Sequence, residues 1–146
     1  MSHIRKQIRD KVARKLDFLN TTKRNIFKGR FYGIQAAKLP ALLIYTSSES
    51  AEVTTMGTGR NSDRILTLVV EGYAKSNAVI EDTLDQIAVE VEEALANTTL
   101  DGLIRDIEYN GFELDANADP EQTVAVIRLT FSIEYSVAED DVETAL

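Results

Sequence analysis

The chain has 146 residues, 44% of them hydrophobic and 27% charged, which suits one globular domain with a single core. It contains no cysteine, so disulfides, thiolate nucleophiles and Cys-ligated metals are excluded, and its one histidine, His3, leaves almost no route to a Ser-His-Asp or Cys-His arrangement. The formal net charge of −8 hides a strong polarity: residues 1–40 hold eleven Lys/Arg and two Asp/Glu, whereas residues 41–146 hold five and twenty-two.

No apolar run approaches the ~18 residues of a membrane span, and no apolar stretch follows the basic start as a secretory signal requires, so no membrane partner is expected. From Ser2, a candidate N-cap, Ile4, Ile8, Val12, Leu16 and Leu19 recur at helical spacing and predict an amphipathic helix over 3–19. Its other face carries Arg5, Lys6, Arg9, Lys11, Arg14 and Lys15. Arg5 and Lys6 fall in the first turn, where positive charge opposes the helix dipole by roughly 0.3–1 kcal/mol each. A partner surface explains them better than helix stability does.

Asn25–Tyr32 reads as a first strand, with Phe27 and Phe31 on one face and Lys28 and Arg30 on the other; Gly29 marks a bulge or a close approach of backbone. Pro40 opens a short apolar strand, Ala41–Tyr45. Residues 46–62 are rich in Ser and Thr and punctuated by Gly57 and Gly59, which predicts a mobile loop or a long hairpin arm. Their Gly-Thr-Gly-Arg segment lacks the lysine and the following helix of a phosphate-binding loop.

Asp63–Lys75 is a strand with apolar residues on both faces, Leu66, Leu68 and Val70 on one and Ile65, Val69 and Tyr73 on the other, as an interior strand requires. Ser76 or Asn77 then caps a second helix running to about Ala96. Ile80, Leu84, Ile87, Ala88, Val91 and Leu95 form its buried stripe, and Glu81, Asp82, Asp85, Glu90, Glu92 and Glu93 cover much of the rest. Leu103–Leu114 reads as a strand broken near Asn110-Gly111, and 115–121 as a turn.

Gln122–Val137 has the clearest pattern in the chain. Apolar residues alternate with Arg128, Thr130, Ser132 and Glu134, a period of two that belongs to a strand with one buried face. At ~3.3 Å per residue the run spans roughly 50 Å, too long for a domain of this size to bury end to end. Part of it is expected to leave the body and meet a partner. The acidic tail, 138–146, is expected to fray. This order of elements gives a single α+β domain over 1–146: a mainly antiparallel mixed sheet, two helices packed on one face, and an extended hairpin or loop arm.

A catalytic centre needs convergent polar groups, and few are offered. Asp82 and Asp85, or Glu81 and Asp85, lie one turn apart, but acidic solvated faces show such pairs constantly, and Glu139-Asp140-Asp141 has the same plain reading. No catalytic residue, cofactor site or metal site is therefore expected. The basic first helix, with Lys23, Arg24, Lys28 and Arg30 after it, keeps open a nucleic-acid-binding domain, although the acidic remainder repels phosphates.

Several strings, in order, resemble the phage tail terminator family, typified by the minor tail protein U of lambda-like phages. Phe27-Lys28-Gly29-Arg30 is similar to that family's Phe-x-Gly-Arg, and Leu39-Pro40-Ala41-Leu42-Leu43-Ile44-Tyr45 to its Pro-led strand ending in an aromatic. A polar loop, a strand into the acidic helix, a Gly-containing strand, an Asp-rich turn and a last strand ending near Ile133-Glu134-Tyr135 follow, so the likeness spans about residues 3–137. The resemblance implies a non-enzymatic virion protein that forms a hexameric ring on the head-proximal end of the tail tube, stops tube growth and presents a surface to the head–tail connector and neck proteins. The tape measure protein or DNA would be the candidate contents of its lumen. On that reading Arg5, Arg9, Lys15 and Tyr135 meet a neighbouring subunit or the connector, and Val53, Met56 and Arg60 reach the tail tube. A head-completion or neck adaptor ring is the nearest rival.

Overall fold

A computed structural model of the chain describes residues 2–17, 19–23, 25–28, 40–55, 57, 59–75, 80–116 and 124–146. Helix α1 spans Ile4–Lys15. His3 caps it in place of Ser2: its Nδ1 accepts a hydrogen bond from the Arg5 N–H at 3.0 Å, and its carbonyl accepts from Lys6 and Gln7. A ring nitrogen thus does what a serine oxygen does at most helix starts. Ile4, Ile8, Val12 and Leu16 form one fully buried row. The helix stops short of Leu19, which instead bridges to Lys23 in a turn.

Strand β1 (Ile26–Lys28) runs parallel to β2, with Ile26 opposite Leu42. The expected strand beyond Lys28 lies outside the described residues, as do Ser76 and Asn77. Strand β2 (Ala41–Val53) is far longer than its apolar start. Ser48–Val53 pairs residue by residue with Thr67–Ser62 of β3, so the polar stretch is a hairpin arm rather than a loop. Its Ser, Thr and Glu side chains hide the strand from a hydrophobicity reading, while the backbone groups are satisfied across the ladder.

Strand β3 (Asn61–Lys75) is the middle of the sheet, paired along its length with β2 on one side and β5 (Val124–Ala138) on the other. Between them come α2 (Ile80–Leu95) and β4 (Asp106–Ala116), the latter starting later than Leu103 because residues 100–104 are tied up in a turn. The break expected near Asn110-Gly111 is a bulge between Tyr109 and Gly111. The strand order is β1-β2-β3-β5-β4, antiparallel except for the β1–β2 pair.

Two expectations about the chain's last third are overturned. The far end of β5 does not leave the body: Tyr135 and Val137 are buried. The tail does not fray but forms β6 (Asp141–Ala145), which pairs with β5 beyond the end of β4. Val142 and Ala145 pack against the core, Leu146 N–H donates to Ser136 O at 2.9 Å, and Gln7 Nε2 donates to Glu143 O at 2.8 Å. A few apolar contacts and backbone bonds outweigh the repulsion of a short acidic segment.

Alternation divides the sheet into two faces. Leu42, Ile44, Leu66, Leu68 and Leu129 point to one side and join the buried rows of α1 and α2, so both helices lie on that face. Leu43, Tyr45 and Val69 cluster on the other side with Phe27 and Tyr73. Gly72 lets α2 approach: a Cβ there would stand 2.8 Å from Ile87 Cγ2 and 3.1 Å from Ile127 Cγ2.

Candidate functional site

Three surfaces carry groups that core packing does not explain. The first lies where the hairpin arm leaves the body. Glu49, in the stretch read as a possible loop, accepts from Arg5 Nη1 at 2.9 Å and Arg64 Nη1 at 3.4 Å, and also from the Tyr135 hydroxyl. Burial and the Glu49 hydrogen bond raise the Tyr135 pKa to about 12, against the opposing pull of Arg64. Tyr135 was expected at a subunit surface; its residue is 1% exposed, and it serves as an internal post for Glu49. Arg5 and Tyr135 are thus brought together through a carboxylate that the sequence reading passed over. Arg9 lies nearby on Thr46 Oγ1 at 3.1 Å, and Lys15 is exposed at the other end of α1.

The second surface is the end of the arm. Val53 is exposed at the last position of β2 and shares a cleft with Thr54, Thr55, Gly57 and Arg60. Gly57 and Gly59 both take positive φ, which glycine adopts without strain, and Arg60 Nε donates to Gly57 O at 3.3 Å. Glu139 N–H donates to Arg60 O at 2.8 Å, which fastens the tip to the β5–β6 turn. Met56, also expected here, lies outside the described residues.

The third feature is the contrast between the sheet's two outer edges. At the β1 edge, an open cleft of about 440 Å³ is lined by Ala13 and Ile26 and rimmed by Arg14 and Lys28, with Asp10 and Asp17. Lys6 and Lys28 both reach Asp10, at 2.8 and 2.9 Å, and their hydrogen bonds, Lys6 foremost, hold its carboxyl below the usual range. Arg14 and Lys15 enter no ion pair among the described residues. Described residues 2–28 carry eight Lys/Arg against two Asp/Glu.

At the β4 edge, Tyr109, Phe112 and Leu114 stand opposite Phe131, Leu129 and Ile127, which puts all three on the helix-bearing face. Helix α2 packs over β3 and β5, and the three side chains remain 40%, 55% and 49% exposed. A groove of about 400 Å³ lies between Tyr109 and α2, lined by Glu92 and Leu95 on the helix side and by Ile107, Glu108, Tyr109 and Phe131 on the sheet side. The α2 carboxylates enter no ion pair among the described residues. Residues 80–116 carry eleven Asp/Glu against Arg105 alone. Length and strand register cannot reveal such a stripe, because exposure depends on where α2 comes to rest.

A polar group on the opposite face completes the inventory. Buried Glu71 accepts from Tyr73 Oη at 2.8 Å and faces Arg128 at 3.7 Å, and Arg128 reaches Glu113 at 3.2 Å. Burial and the Glu71 carboxylate both push the Tyr73 hydroxyl well above its ordinary pKa. No group of three or more metal-ligating side chains comes together among the described residues. These surfaces offer charge, apolar area and shape, which are the means of recognition.

No curated protein sequence matches the chain. Among solved structures, it is similar to a chain of the virion of a native gene transfer agent particle, at 16% identity and a TM-score of 0.43 over 90% of each chain. Residues 3–135, nearly the whole length, match the family described as phage minor tail protein U, and the chain belongs to that family of phage tail structural proteins.

Proposed function

We propose that this chain is the terminator of a phage tail: one subunit of a hexameric ring that sits on the head-proximal end of the tail tube, blocks further addition of tube subunits and offers its free side to the head–tail connector. The family match over residues 3–135 carries this reading. It acts by shape, without substrate turnover. Val53, Met56 and Arg60 at the arm's end reach the tube, while the α1 surface with Arg5, Arg9 and Lys15 meets a neighbouring subunit or a neck protein. Tyr135 contributes from inside, by holding Glu49 under Arg5.

The nucleic-acid reading is the weaker one. Arg5, Lys6, Arg9 and Lys11 are each engaged within the protomer, by Glu49, Asp10, Thr46 and Asp101. Carboxylates compensate three of the helix's six cations, and residues 41–146, with twenty-two Asp/Glu against five Lys/Arg, repel a phosphate backbone.

Tail assembly with and without the chain tests the proposal. Without it, tubes should grow beyond their normal length and fail to join heads; adding purified protein should restore both. Tails of normal length that join heads in its absence would refute the terminator role.

A further inference from the structure

We infer that the apolar trough on the β4 edge receives the α1–β1 edge of a second copy of this chain. The inference rests on the ring reading and names the two surfaces that meet in it. Exposed apolar groups in a row at a sheet edge call for a cover. Phe112 and Leu114 are about half exposed, and Val89 of α2 is 45% exposed.

The stripe exists because of the bulge. In a regular strand Tyr109 and Phe112, three residues apart, would point to opposite faces. The extra residue between Tyr109 and Gly111 resets the alternation, so Tyr109, Phe112 and Leu114 share one side.

Charge decides the occupant. Glu92 of α2 and Glu108 of β4 line the trough, and Asp85 and Val89 stand at helical spacing from Glu92 on the same side of α2, so the apolar floor is bordered by carboxylates. The cleft at the other edge sets Ala13 and Ile26 within a rim of Arg14, Lys28, Asp10 and Asp17. Lys28 is paired with Asp10, whereas Arg14, with Lys15 beside it, enters no ion pair among the described residues. The described residues 2–28 around it carry eight Lys/Arg against two Asp/Glu. The strand order puts these surfaces on opposite edges of one sheet, four strand spacings or ~19 Å apart. An acidic edge that accepts a basic edge leaves one of each free at every step, so the contact is heterologous and closes into a ring when the rotation allows.

The full-length chain can be tested by native mass spectrometry at micromolar concentration, alone and with tail tubes. Phe112→Asp, the pair Asp85→Lys with Glu92→Lys, and the pair Arg14→Glu with Lys15→Glu should each weaken association at least tenfold, while circular dichroism shows the fold retained. Combining both charge-reversed pairs in one chain should restore association, because the edges become complementary again; a damaged fold would not be rescued. Rings that persist in all three single-edge variants would overturn this assignment and leave the ring reading standing. Failure of the combined variant to recover would overturn the charge pairing. An unmodified chain that stays monomeric even with tubes would overturn both.

Discussion

The Tyr135 hydroxyl donates to Glu49 across 86 residues of sequence, joining the far end of β5 to the base of the hairpin arm. The same carboxylate takes Arg5 from the first turn of α1 and Arg64 from β3, so one side chain ties four elements together. Glu49 has a side chain only 13% exposed, and its removal would strand Arg64, whose Nε already lacks a partner. Glu49→Ala should therefore cost about 3 kcal/mol in denaturant unfolding, and Tyr135→Phe about 1.5 kcal/mol.

The Tyr135 bond also predicts a pH signature. Its folded pKa, about 12, lies above the ordinary tyrosine value of about 10. Folding therefore favours the protonated phenol: the stabilisation is full below pH 10 and is lost as the pH rises toward 12. Burial raises the Tyr45 and Tyr73 hydroxyls as well, so the difference between the unmodified chain and Tyr135→Phe isolates the effect. That difference should shrink over the window, by at most about 1.4 kcal/mol per pH unit.

Gly72 is the packing point between sheet and helix. Gly72→Ala should cost about 1–3 kcal/mol through overlap with the Ile87 and Ile127 methyls. Ile87→Leu removes the branched methyl nearest the new Cβ, so the double variant should lose less than the sum of the single losses.

The β6 strand predicts that a chain ending at Ala138 is less stable by about 2 kcal/mol, for lost burial of Val142 and Ala145 and a lost backbone bond to Ser136. A frayed tail would be removed at no cost.

Much of the architecture was legible because burial follows periodicity. The alternation of β5, the two apolar faces of β3 and the stripes of both helices required no knowledge of their neighbours. The arm was only half legible: Ser48–Val53 is a strand because β3 offers it a ladder, and that partner is not visible in a run of Ser and Glu. Val142 in β6 was hidden by the acids around it. The candidate site was less legible than the fold. Charge polarity was plain, but the Glu49 junction depends on residues far apart in sequence, and the Phe112 stripe on a bulge that resets one strand's alternation.

Val53 and Arg60 lie outside the core, so Val53→Asp with Arg60→Glu should change stability by less than about 0.5 kcal/mol. Co-sedimentation of the same variant with tail tubes should fall at least tenfold if the arm's end makes the tube contact.

The most direct test of the whole account is a reconstruction of both ends of purified tails. The account predicts one ring of this chain, at the head-proximal end only, with the ends of the arms against the last tube layer. Finding the chain along the tube, at the distal tip or nowhere on the tail would contradict it.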